Sequence, residues 1–186
     1  CIAEVCRYTR NKACYFGSVV ACGAVCVIAF LPFGGVYGNA LITLSLSILL
    51  LYGVEAWKSS GKLRFLALTA ALAAVFYLLC RTVPIDYGFA GVLLPLYAEI
   101  GRLFWERVFA GIPPVIGERL GFAVGLLVLA GVMGGVQRFC VLAIFPLLLL
   151  GNERGKWKMK HFFYIYYPAH LAVIGAVQLA LKAAAG

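Results

Sequence analysis

Three groups of residues in this chain have types and spacing that could carry chemistry. The most informative is Lys160-His161-Phe162-Phe163-Tyr164-Ile165-Tyr166-Tyr167-Pro168-Ala169-His170-Leu171. If a helix starts near His161, His170 lies about nine residues further on, roughly 14 Å at 1.5 Å per residue. Tyr166 and Tyr167 then fall one turn before it, where a phenol can hydrogen-bond the imidazole. Pro168 lacks an N–H and clashes with the carbonyl of Tyr164, so the helix kinks there and frees polar backbone beside His170. Imidazole exchanges protons near neutrality, which suits a general base. A buried structural histidine, bonded to a neighbouring helix, fits the same residues.

The second group is Asp86-Tyr87-Gly88, with Gly91 on the helix that follows. Asp86 is either the N-cap of that helix or a carboxylate that reaches a cavity and orients a donor. The third is Glu4, Arg7, Tyr8, Thr9, Arg10, Asn11 and Lys12. Guanidinium forks suit phosphates and carboxylates, although a basic flank of a membrane helix has the same composition. Asn39, Thr43, Ser45 and Ser47 sprinkle a further segment with small polar groups that can join helices. No phosphate-binding loop, nucleophile elbow, zinc motif or nucleic-acid module is present in the sequence. The seven cysteines are odd in number and lack metal-ligand spacing; Cys22 and Cys26 share one helical face and read as packing.

The elements that must position these groups follow from composition. The chain has 186 residues, 64% of them hydrophobic and 12% charged, with a net charge of +9. Soluble domains average about 45–50% apolar and about 25% charged, so disorder and an ordinary soluble fold are excluded. Too few polar residues remain for a nucleic-acid surface, and the basic residues read as topology signals in a lipid bilayer. The fold class is an all-α, polytopic transmembrane helix bundle, a single integral-membrane domain over 1–186.

Seven apolar segments approach spanning length: Ala13–Leu31, Asn39–Trp57, Leu63–Cys80, Tyr87–Trp105, Leu120–Val136, Gln137–Leu150 and His161–Leu181. The fifth and sixth are short enough to form a hairpin that does not cross fully. With the N-terminus cytoplasmic, the alternating loops place thirteen Lys and Arg inside and three outside, which puts the C-terminus outside. The longest polar connection is expected at Glu106–Arg119. Gly121 and Gly125, and Gly131 and Gly135, are spaced for close helix approach.

The chain resembles the TraX family of bacterial integral-membrane proteins. The Lys160–Leu171 stretch is similar to the family's FFYxFYPxHL ending, Ile85–Leu93 to its DYGxxGVL segment, and Glu4 with Tyr8–Lys12 to its EGxxxTRNxxKY segment. The three occur in family order and nearly span the chain. The resemblance implies an inner-membrane enzyme related to membrane acyltransferases; the founding member acetylates the N-terminus of a conjugative pilin.

The implied acyl donor is acetyl-CoA, with no metal. The implied acceptor is a pilin or a cell-surface molecule, and no nucleic acid takes part. His170, Asp86 and Tyr167 are then the catalytic candidates. Arg7, Arg10, Asn11 and Lys12 are the donor-binding ones, and Glu4, Tyr164 and Tyr166 complete the polar sites. Family members usually begin with further spans bearing an Asp-His pair. The chain opens on Cys1 with no initiator and no lipoprotein-type linker, so the expectation is a C-terminal portion of a longer protein. A proton-coupled transporter and a non-catalytic pilus or conjugation assembly factor are the rival classes.

Overall fold

The computed structural model describes residues 2–31, 39–109, 111–149 and 162–185. Every element named below is helical. A short α1 (Ile2–Tyr8) buries Ala3 and Cys6. It is followed by α2 (Lys12–Phe30), α3 (Ala40–Ser60), α4 (Leu63–Thr82), α5 (Gly88–Val108) and α6 (Pro114–Met133). A 3₁₀ segment, Gly135–Ala143, leads into α7 (Ile144–Leu149), and α8 (Phe162–Ala185) closes the chain. Three helices, α3, α4 and α6, are long and apolar enough to cross a membrane. Of similar length, α5 carries Glu99, Arg102, Glu106 and Arg107 in its last three turns.

The centre of the bundle is α3, which packs against α1, α2, α4 and α5. Its buried face carries Thr43, Ser45 and Ser47 as well as Leu41, Ile48, Leu50 and Leu51. A hydroxyl in an apolar bundle needs an acceptor, and each of these has one. Asn39 caps α3 through its side-chain oxygen and donates its amide to Gly23 O of α2 at 2.8 Å. Thr43 donates to the Asp86 carbonyl at 2.5 Å, and Ser47 to the Val92 carbonyl at 2.8 Å. The stripe at positions 39, 43 and 47 therefore ties α3 to α2, to the turn before α5, and to α5 itself. Cys26 is buried in the core, with Cys22 packed beside it, as their shared face implies.

The tightest helix pair is α5 with α6. A methyl placed on Gly101 would lie 2.3 Å from the Gly117 carbonyl oxygen, and one on Gly121 2.2 Å from that of Tyr97. Only glycine lets these two backbones touch. The 121/125 half of this contact is legible from spacing, whereas Gly131 has nothing within 4 Å and Gly135 adopts φ +52 with no close neighbour.

Several boundaries move. The N-terminal polar run forms a helix, because Ala3 and Cys6 share one face and bury together. Pro114 starts α6 at its first turn, so Glu118 and Arg119 are helical and the connection shrinks to 109–113. The segment expected as a sixth span is instead the 3₁₀ piece and a six-residue helix, lying back along α6 with Cys140 Sγ donating to Leu126 O.

The charge alternation puts the start of the last helix at the Arg7 end of the bundle. In the structure Tyr167, early in α8, meets Ala40 at the start of α3, which is the opposite end. The 3₁₀ segment and α7 stand where the alternation counts a sixth spanning helix.

Candidate functional site

Two polar sites sit near opposite ends of α3. Ala40 marks one and Lys58 the other, about 27 Å apart at 1.5 Å per residue.

At the Ala40 end, three separate stretches of sequence meet. The Tyr167 phenol oxygen accepts the Ala40 amide at 3.3 Å, taking up one of the orphan N–H groups in the first turn of α3. Tyr167 also meets His170 edge-on, with ring centroids 5.1 Å apart, and Tyr166 stacks on the other side at 5.2 Å. His170 Nδ1 lies 3.2 Å from the Tyr166 carbonyl oxygen. A carbonyl only accepts, so that contact assigns the proton to Nδ1 and leaves Nε2 as the lone-pair nitrogen. Pro168 lies within α8 between the two residues of this contact.

Asp86 is held nearby by Thr43 through its backbone carbonyl, and its charge acts on the Tyr167 phenol. Although the residue is exposed, partial burial of its carboxyl pushes that group above the usual carboxylate range. Asp86 is not the N-cap of α5. That position belongs to Tyr87, at φ 64, with no side-chain capping bond. A non-glycine residue in the left-handed region is uncommon. Gly88 follows at φ +51, and Gly91 leaves the space that Tyr87 Cβ and Thr43 fill; an added methyl there would lie 2.4 Å from Tyr87 Cβ. The Asp-Tyr-Gly turn thus needs both glycines to set Asp86 beside Tyr167.

At the Arg7 end, Glu99 is the hub. Its Oε2 accepts from Arg7 Nη2 at 2.8 Å and from Arg102 Nε at 3.2 Å. Its Oε1 accepts from Arg102 Nη2 at 2.5 Å and from Lys58 Nζ at 3.5 Å. Arg7 Nη2 also reaches Glu118 at 3.3 Å, and Arg102 bonds Glu106. Glu99 and Arg102 are each 8% exposed and Glu118 6%. The cluster joins α1, α3, α5 and α6, and it borders a cavity of about 140 Å³ walled by Cys6, Arg7, Glu55, Lys58, Glu99 and Arg102. Burial pushes the Cys6 thiol up to about 11, so it stays protonated at neutral pH.

The donor-binding candidates divide. Arg7 is in the cluster. Lys12 pairs with Glu55 at 2.5 Å and lies over the Tyr52 ring. Asn11 caps α2, its side chain accepting from Cys14 N at 3.0 Å. Arg10 is exposed, with no partner among the described residues, and Glu4 is exposed on α1. The side chain of Tyr164 lies outside the described residues. Neither Lys58 nor Glu118 is singled out by the sequence reading. Glu99 and Arg102 carried a usable signal: ionisable residues at i and i+3 late in an apolar span are costly unless paired.

The fold and these sites define a multi-helix integral-membrane protein with polar groups concentrated at the two ends of its bundle. The chain belongs to the TraX family, whose profile, described as TraX protein, matches residues 2–178. No curated protein and no solved structure matches it.

Proposed function

We propose that this chain is a membrane-embedded acyltransferase that moves an acetyl group from acetyl-CoA to an amine or hydroxyl acceptor. The observation that carries the reading is the junction of His170, Tyr167 and Asp86 at the start of α3. These residues come from two stretches that resemble segments of the TraX family, and the fold brings them together. On this reading Nε2 of His170 takes the proton of the acceptor as its nitrogen or oxygen attacks the thioester carbonyl. The tetrahedral intermediate collapses, the C–S bond breaks, and the imidazolium returns its proton to the departing thiolate. Tyr167, buttressed by Ala40, holds the imidazole edge-on. Asp86 supplies a carboxylate that stabilises the imidazolium.

The Arg7 end receives the charged part of the donor and faces the cytoplasm of a bacterial inner membrane. A long, flexible donor such as acetyl-CoA lies lengthwise along α3, phosphates at one end and thioester towards the other. The acceptor is a pilin N-terminus or a cell-surface molecule. The test is mass spectrometry of both acceptor classes in cells with and without the gene for this chain. Loss of an acetyl-sized mass increment on deletion supports the reading, and identical acetylation in both strains rejects it.

A further inference from the structure

The Glu99 cluster contains more donor capacity than it uses. Arg7 has five N–H groups, yet its bonds to Glu99 and Glu118 both run through Nη2. Lys58 has three donors and, among the described residues, one contact, a long one of 3.5 Å to Glu99. Both side chains wall the cavity and remain about a third exposed, 29% and 35%. The opening is far larger than the roughly 10–15 Å³ that one water needs. Its charged walls are Arg7, Lys58 and Arg102 with Glu55 and Glu99, while Glu118 and Glu106 engage Arg7 and Arg102 from beyond the lining.

We propose that this cavity is a binding site for a phosphate or diphosphate group, held by Lys58 and the unused N–H groups of Arg7, with Glu99 as a built-in competitor. A doubly charged phosphate offers three strong acceptor oxygens, more than the carboxylate that now occupies these cations. On entry it draws Lys58 from its long contact and shares Arg7, while Arg102 keeps its two-pronged grip on Glu99. The proposal deepens the acyl-transfer reading by naming the donor's charged subsite and two residues, Lys58 and Glu99, that set its affinity. The same chemistry is offered by a soluble nucleotide-type donor and by an anionic lipid headgroup.

Binding of adenosine 3′,5′-bisphosphate, the charged end of acetyl-CoA without its thioester, is measured by calorimetry on the protein in phosphatidylcholine nanodiscs at low salt. Saturable binding is expected, weakened about tenfold or more in Lys58→Met and kept in Lys58→Arg. Glu99→Gln is expected to tighten it several-fold, an effect that mere loss of structure does not produce. Displacement of the nucleotide when phosphatidylglycerol is added to the discs supports the site and makes a lipid headgroup its occupant; no displacement supports it with the soluble donor. Two results overturn the proposal. One is absence of saturable binding; the other is wild-type affinity in both Lys58→Met and Glu99→Gln. No acetyl transfer is measured, so this failure leaves the acyl-transfer reading standing, and the reverse holds as well.

Discussion

The Tyr167 phenol oxygen sits 3.3 Å from the Ala40 amide, and through it the start of α8 is pinned to the N-terminus of the central helix. That bond fixes where His170 stands, because the imidazole packs edge-on against the same ring. Tyr167→Phe keeps the ring and removes the oxygen. A lost neutral hydrogen bond costs about 1 kcal/mol, so the variant should melt slightly lower in detergent while transfer falls more steeply than stability. Parallel Tm and rate measurements check the two effects.

Arg10 has no partner among the described residues, unlike Arg7, Asn11 and Lys12. Arg10→Ala should leave thermal stability within about 0.5 kcal/mol of wild type, as for surface changes away from special features. It should also raise the acetyl-CoA concentration needed for half-maximal transfer. An unchanged requirement would remove Arg10 from donor binding.

The α5–α6 contact predicts a steric effect remote from either site. Gly101→Val places methyl groups where the Gly117 carbonyl and the Gly121 backbone already stand. Overpacking of this kind costs about 1–3 kcal/mol, and here rigid backbone has to yield. The same change at Gly131, which has no neighbour within 4 Å, should be tolerated. Thermal unfolding of the two variants side by side checks this.

Asp86 gives a pH signature. Its carboxyl lies above the usual range in the folded chain. The folded state therefore binds the proton more tightly than the unfolded one. The contribution of this group to stability is complete below the ordinary carboxylate range and is lost as pH rises through the raised value. Asp86→Asn should equal or exceed wild type in Tm at neutral pH, and the advantage should vanish in acid. A variant less stable at neutral pH than at acid pH, relative to wild type, contradicts the assignment.

Much of the bundle was legible in the sequence because apolar length alone marks a membrane helix. Four of the first five expected segments match helices to within a turn. The fifth starts six residues earlier than expected, since Pro114 is a good first-turn residue and the charges of Glu118 and Arg119 are accommodated inside the helix.

Parity was harder to read. Gln137–Leu150 is apolar enough to count as a crossing, but two positive-φ glycines, Gly134 and Gly135, open a 3₁₀ segment instead of an α-helix. The Tyr167–His170 neighbourhood follows from helical spacing, whereas Asp86 was singled out through a motif and not through spacing. The Glu99 hub was hidden because its partners come from three helices, α1, α3 and α5, and pairing across a bundle leaves no mark in a linear pattern. Asn11 shows the converse case: a residue of a family-like motif that caps a helix.

The proposed reaction is transfer of an acetyl group with His170 as the base. Its most direct test follows label from isotopically marked acetyl-CoA into a pilin N-terminal peptide and a surface-glycan acceptor, with wild type and His170→Ala in membranes at equal expression. Labelled product is expected with wild type, and a loss of about 10²–10⁴-fold in the variant, the usual worth of a positioned general base. Equal labelling by the two proteins would contradict the assignment of His170, and no labelling of either acceptor by wild type would contradict acetyl transfer itself.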